Sequence, residues 1–162
     1  MSDFFIMRQE VQNRLWWRIM GSTTATNAAS ALPAVGMNWR EAIEFANKLS
    51  AESGLTPCYK LSPQLFWDFD CTGWRLPTEA EWEMAARSNS QTALYSGSNA
   101  AETVAWYKGN ADGALHAPCG RQENPLGLCD MSGNVEEWTW DAFGPYVTPD
   151  DEIMGGAVID PI

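Results

Sequence analysis

Residues 73–87, Gly-Trp-Arg-Leu-Pro-Thr-Glu-Ala-Glu-Trp-Glu-Met-Ala-Ala-Arg, constrain the fold of this chain more than any other stretch. Pro77 biases Leu76 away from helical backbone, so Trp74, Arg75 and Leu76 read as an extended lead-in and Thr78 as the N-cap of a helix. Glu81, three residues on, completes a capping box. Beyond it Trp82, Ala85 and Ala86 recur on one helical face, while Glu79, Glu83 and Arg87 occupy the others. The helix is therefore expected to lie on a core by its Trp and Ala side, the small Ala residues letting another element come close. The stretch holds no nucleophile, so on its own it starts a helix and carries no chemistry.

At 162 residues the chain reads as a single domain spanning residues 1–162, large enough to bury roughly 70% of the surface its unfolded form exposes. Nine Trp and thirteen Gly, with only 19% charged residues, point to large apolar anchors and many turns. Charge excludes two partner classes. A formal charge of −11 and a pI near 4.3 argue against nucleic acid and anionic membrane, both of which need clustered Lys and Arg. Acidic loops suit a hard cation instead. The four cysteines, Cys58, Cys71, Cys119 and Cys129, lack the paired C-x-x-C spacing of a zinc site and leave free thiols or one or two bridges open. No apolar run approaches the ~18 residues of a membrane span. The first residues lack the basic and apolar regions of a secretory signal, so the expected location is cytoplasmic.

Along the chain, residues 4–11 are apolar enough for a strand. Residues 12–20 follow as a short helix with Leu15, Trp16, Ile19 and Met20 on one face, stopped by Gly21. Residues 22–32 read as a loop. Asn38 and Glu41 make a second capping-box pattern for a helix over residues 39–50, with Ile43, Ala46 and Leu49 on its apolar stripe. Cys58, Tyr59, Lys60 and Leu61, a Ser62-Pro63 turn, and then Leu65, Phe66, Trp67, Asp68 and Phe69 form a β-hairpin pattern. Cys58 and Cys71 flank it; a bridge there is conceivable, and two reduced thiols are the expectation in a reducing compartment. Leu94-Tyr95-Ser96-Gly97-Ser98 and Val104-Ala105-Trp106-Tyr107 look like short strands or coils pinned by single aromatics.

A second block, residues 124–138, runs Asn-Pro-Leu-Gly-Leu-Cys-Asp-Met-Ser-Gly-Asn-Val-Glu-Glu-Trp. Together the two blocks closely resemble the hallmarks of the formylglycine-generating enzyme family, the sulfatase-modifying factors, usually written G-[WY]-R-L-P-T-E-A-E-W-E-x-A-A-R and N-x-x-G-L-Y-D-M-x-G-N-V-W-E-W. Two positions depart: Cys129 replaces an aromatic and Glu136 a Trp. A charge in place of that anchor must reach solvent or weaken the local core. The resemblance covers most of residues 4–146 and implies an α+β, C-type-lectin-like fold, loop-rich, with two or three helices around small antiparallel sheets. The family's R-V-x-R-G-G-S-W strand and its later segment ending in G-F-R find no counterpart, so the domain reads as lacking the family's C-terminal part.

Asp130, Gly133, Val135 and Glu137 occupy positions that supply one calcium site in the resembled enzymes. Physically, a turn on Ser132-Gly133-Asn134 can aim carbonyls inward while Asp130 and Glu137 bring carboxylates from its two ends. Calcium takes about six to eight oxygens of these kinds. The competing reading is a Gly-Asn turn with Glu137 pairing an Arg and Asn134 relieving a left-handed backbone. His116 reads as structural, and among the Trp residues only Trp140 suits an exposed binding aromatic.

Catalysis in the resembled family depends on a metal-binding pair of cysteines in the C-terminal segment, a role that Cys119 and Cys129 cannot inherit from their positions. No catalytic or cofactor-binding residue is therefore assigned beyond the calcium set. The expected function is a non-catalytic ligand-binding or scaffold domain, a use the fold also serves in the variable proteins of diversity-generating retroelements. The alternatives are a formylglycine-generating oxidase acting on a sulfatase cysteine, completed by another segment or chain, and a split product stable only through self-association or a complementing chain. The identity of a protein or small-molecule ligand is not written in the residues.

Overall fold

The computed structural model describes residues 4–21, 28–88 and 92–142. In chain order it comprises α1 (Asn13–Met20), a 3-10 turn (Ala28–Ala31), α2 (Trp39–Glu52), a hairpin of β1 (Tyr59–Lys60) and β2 (Phe66–Trp67), α3 (Glu79–Ala86) and the single-turn α4 (Ala101–Val104). Most of the other described residues form irregular backbone tied down by side chains.

Three helix ends are set by identifiable residues. Gly21 takes a left-handed φ of 81° and returns its N–H to the Trp17 carbonyl, closing α1. Asn38 and Glu41 form a complete capping box on α2, and Thr78 and Glu81 form another on α3. α2 buries Ile43, Ala46 and Leu49, and Trp16 of α1 stacks on its Phe45 at 4.9 Å.

The hairpin pairs Tyr59 with Trp67 and Lys60 with Phe66 in antiparallel register. Asn47 of α2 holds it in place, its Nδ2 donating to the Tyr59 carbonyl and its Oδ1 accepting the Tyr59 N–H. Cys58 and Cys71 form a disulfide across the base of this hairpin, which overturns the expectation of two reduced thiols. The pairing itself supplies the reason. Asp68 donates to the Cys58 carbonyl, so the chain leaving β2 passes beside Cys58 and brings the two Cα atoms to 5.0 Å, within bridging range.

Two apolar cores result among the described residues. The first gathers Ile43, Ala46, Cys58, Tyr59 and Trp67, with Trp39, Trp74, Leu76 and Trp140 packed against it. The second joins Ala85 and Ala86 of α3 to Leu128 and Met131, with Ile6 and Trp82 alongside. Trp140 is thus a core aromatic and not the exposed binding residue the sequence suggested. It stacks on Tyr59 at 4.9 Å and meets Trp67 edge-on at 5.1 Å, because its N–H is bonded to the Pro77 carbonyl while Trp39 Nε1 holds the neighbouring Thr139 carbonyl.

The strand expected over residues 4–11 does not form. Arg8 and Val11 each accept one backbone bond, from Cys129 and Ala34 respectively, so the segment touches two separate loops and no ladder develops. Tyr95 and Ser98 make one isolated bridge, and Val104 ends α4 instead of opening a strand. No helix among the described residues is long and apolar enough to cross a membrane.

Candidate functional site: carboxylates on the wall of a cavity between the cores

Residues 124–137 fold on side-chain bonds. Buried Asn124 accepts the N–H groups of Leu126 and Leu128 on Oδ1 and donates through Nδ2 to the Ala85 carbonyl of α3 and the Ser96 hydroxyl. This fastens the loop to α3. A second disulfide, Cys119–Cys129, fixes the middle of the loop. Asp130 and Asn134 both adopt left-handed backbone, at φ 58° and 69°, a region that Asp and Asn tolerate better than most residues. Gly133 is required by contact: a Cβ there would lie 2.2 Å from the Trp106 carbonyl oxygen.

Asn134 ties three segments together. Its N–H donates to the Trp106 carbonyl, its Oδ1 accepts the His116 N–H, and its Nδ2 donates to the His116 carbonyl and to Glu10 Oε2. His116 stacks on Trp106 with 3.6 Å between ring centroids, and its Nε2 lies 3.1 Å from the Ala111 carbonyl oxygen, the satisfied structural role its sequence context suggested.

Three carboxylates approach one another around this turn. Asp130 is buried, with Oδ2 accepting the Cys119 N–H at 2.6 Å and Oδ1 without a partner among the described residues. Glu10 is equally buried, and its Oε1 is likewise unpartnered. Glu137 accepts a 2.6 Å bond from Trp82 Nε1 of α3, where an Arg partner had been the alternative, and its open surface faces a cavity. Burial pushes the Glu10 carboxyl up to about 8; the charges of Asp130 and Glu137 add to this, and the Asn134 bond opposes it. Burial also raises Glu137, against the Trp82 bond and with the charge of Asp130 adding, and raises Asp130 against the Cys119 bond.

Of the four residues expected to bind calcium, Asp130 and Glu137 thus come within electrostatic reach of each other. The Gly133 carbonyl accepts the Val135 N–H at 3.0 Å within the turn, and Val135 lines the cavity. No group of three His, Cys, Asp or Glu side chains is arranged to hold a metal ion among the described residues. Two further groups were not singled out from the sequence. Glu10 stands in an apolar run where a strand was expected, its burial the work of distant loops. The Arg75–Glu81 pair, with Glu81 buried and Arg75 half-buried, is bidentate at 2.6 and 2.7 Å and holds Glu81 below the usual carboxylate range.

The cavity has a volume of about 580 Å³ and lies between the two cores, walled by Phe45, Trp74, Leu76, Trp82, Met131 and Trp138, with Glu10, Glu136 and Glu137 on its lining. Glu136 is exposed, so the charge that replaces the family's Trp reaches open surface. All four cysteines of the chain are in disulfides.

The model of the sulfatase-modifying factor enzyme 1-like domain matches residues 1–159. The chain belongs to this family. Among curated relatives, the chaperone protein LppX of Paenibacillus barcinonensis is 33% identical over 93% of this chain and 66% of its own length. The formylglycine-generating enzyme of Mycobacterium tuberculosis is 42% identical over 46% of this chain and 29% of its own. Among solved structures, variable protein 1 of Treponema denticola superposes with a TM-score of 0.76 at 31% identity, covering 87% of this chain and 63% of the neighbour. The fold is the C-type-lectin-like fold of the formylglycine-generating enzyme type, and this chain spans slightly under two thirds of the length of LppX and of the variable protein.

Proposed function

We propose that this sulfatase-modifying-factor-like domain is a non-catalytic binding or scaffold domain. The observation that carries this reading is the state of its cysteines. Within this chain no thiolate pair is offered to a metal: each of its four sulfurs closes a disulfide, with Cys58 and Cys129 buried. The relatives named as a chaperone and as a variable protein support the same reading. The two disulfides also favour an oxidising compartment over the cytoplasm.

The deciding experiment incubates the purified chain with copper, oxygen and a peptide bearing the sulfatase cysteine motif. The expected product is unmodified peptide. Aldehyde detected by mass shift and hydrazide capture would replace the binding domain with the oxidase reading.

A calcium ion at Asp130, Gly133, Val135 and Glu137 belongs to the same proposal as a structural support. The unpartnered Asp130 Oδ1 is the feature in its favour, since a buried acceptor without a donor is costly and a hard cation satisfies it. Calcium is expected to raise the melting temperature and Glu137→Gln to abolish the rise. Equal melting in calcium and in chelator removes the ion from the account.

A further inference from the structure

The Cys119–Cys129 bridge joins the two segments that meet at Asp130. Cys129 stands where the family has an aromatic, so the bridge belongs to this chain's own departure from the family pattern. Cys119 adopts left-handed backbone at φ 64°, a region that its thiol-derived side chain does nothing to ease, unlike the carboxylate of Asp130 at φ 58°. Two attachments keep it there: the bond of its sulfur to Cys129 and the bond of its N–H to Asp130 Oδ2. The second of these fixes the Asp130 carboxylate and leaves Oδ1, without a partner among the described residues, as the acceptor offered to a cation.

The residues on either side of Cys119 are anchored independently of sulfur. His116 is held by Asn134 and by the Trp106 ring, while Arg121 donates to the Glu102 carbonyl and stacks on that same ring at 3.7 Å. Between these anchors, the hydrogen bonds of residues 117–120 among the described residues all run through Cys119. Severing the bridge therefore frees a short span and leaves its ends in place. The hairpin bridge is built differently. Cys71 and Cys119 are both half-buried, so each bridge shows one sulfur to a reductant, but Cys58 and Cys71 do not occupy left-handed backbone. Asn47 and the Asp68 N–H also hold the hairpin without help from sulfur. Opening Cys119–Cys129 relieves a backbone constraint, and opening Cys58–Cys71 relieves none of that kind.

We propose that Cys119–Cys129 is a redox latch on the Asp130 turn: closed, it presents Asp130 to a divalent cation, and opened by a dithiol reductant it lets the turn relax and the cation leave. This rests on the calcium reading above and adds the control of that site. In opening, a thiolate of the dithiol attacks Cys119 Sγ; the Cys119–Cys129 bond breaks, a mixed disulfide forms at Cys119, and Cys129 leaves as a thiolate that takes up a proton. The second thiol of the reductant then attacks its own mixed-disulfide sulfur and releases Cys119 as a thiol. Two electrons and two protons pass to the protein, and the reductant ends as a disulfide. The coupling is reciprocal. A closed latch that binds calcium more tightly by a given factor is itself favoured over the open latch by the same factor when calcium is bound.

The test is a redox titration of the unaltered chain in mixtures of reduced and oxidised dithiothreitol, once with calcium and once with chelator, read by alkylating free thiols and mapping them by mass. Cys119 and Cys129 are expected to be labelled at a less reducing ratio than Cys58 and Cys71. Calcium is expected to shift the Cys119–Cys129 midpoint by about tenfold in that ratio and the Cys58–Cys71 midpoint by less than about twofold. Both bridges opening at one ratio, or a Cys119–Cys129 midpoint indifferent to calcium, overturns the proposal. Calorimetric titration with calcium of the unaltered chain and of Cys119→Ser combined with Cys129→Ala supplies the second arm. Binding about tenfold weaker in the variant is expected, with amide exchange at Tyr59 unchanged to show that the first core is intact; if that core is lost, the redox titration of the unaltered chain decides. Equal affinity in the two chains overturns the latch and leaves the calcium reading standing, whereas an unaltered chain that binds no calcium removes the ion and its control together.

Discussion

Glu10 concentrates the electrostatic tension of this molecule in one side chain. Its carboxyl titrates near 8 in the folded protein against an ordinary value of 4.5, so between those values the native state holds a proton that the unfolded chain has released. Its protonated form is therefore favourable at low pH, and stability falls as pH rises from about 4.5 to about 8. Glu10→Gln keeps the shape and the Asn134 contact without the charge. It is expected to flatten this slope and to raise the melting temperature most at pH 8, corresponding to a few kcal/mol; thermal unfolding followed at half-unit pH steps checks it. Glu81 runs the other way. Its carboxyl is held low by Arg75, so its contribution is present above the ordinary carboxylate range and is lost on acidification through its lowered folded value. Gly133 illustrates a different constraint, one of space. Gly133→Ala would press a methyl against the Trp106 carbonyl, and a loss of about 3 kcal/mol or more in urea denaturation is expected, because backbone sits on the other side of the clash. A loss under about 1 kcal/mol would mean the turn relaxes around it.

At the scale of elements, the capping boxes and the disulfide-closed hairpin hold the first core together. Reducing Cys58–Cys71, or replacing both residues by Ser, is expected to cost about 2–4 kcal/mol, since the bridge closes a short loop and Cys58 is fully buried. Denaturant unfolding of the double Ser variant against the unaltered chain, both without reductant, measures it, and an unchanged midpoint would show that Asn47 and the Tyr59–Trp67 pair suffice. These elements also show what the residues disclosed and what they withheld. Both capping boxes, the stop at Gly21 and the presence of the hairpin were readable because each depends on neighbours a few residues apart. Residues 4–11 read as a strand because pattern reports apolarity, whereas strand formation needs a partner edge that sequence does not display. The bridge at Cys58 was misjudged because its formation follows from the path of β2, and Trp140 because its packing follows from its own bond to Pro77 and the bond of Trp39 to neighbouring Thr139, sixty and more residues away in the chain. The candidate site divides the same way. Asp130 and Glu137 were visible through their motif, while Glu10 was not, since only the folded loops bring it to them.

For the molecule as a whole, the balance of charge sets the background against which every specific ion effect must be judged. Twenty-one acidic residues face ten Lys and Arg, and four of the five ion pairs seen among the described residues, such as Arg8–Glu123 and Arg18–Glu52, lie at the surface. Exposed pairs of that kind contribute about 0–1 kcal/mol each. Repulsion among the uncompensated carboxylates is then the dominant long-range term, and it acts against the compact state. Monovalent salt shortens the range of that repulsion to about 8 Å near physiological ionic strength without needing a binding site. Raising sodium chloride from low ionic strength to that level is therefore expected to raise the melting temperature smoothly, by a similar amount in the unaltered chain and in Glu137→Gln. Calcium bound at Asp130 and Glu137 would behave differently. Its effect would saturate at low concentration, persist in a fixed background of sodium chloride and disappear in Glu137→Gln. Thermal scans across both titrations separate the two contributions. A melting temperature that falls with added sodium chloride would mean that attractive pairs such as Arg75–Glu81 outweigh the net repulsion, and the view of this protein as an acidic shell strained by its own charge would have to be abandoned.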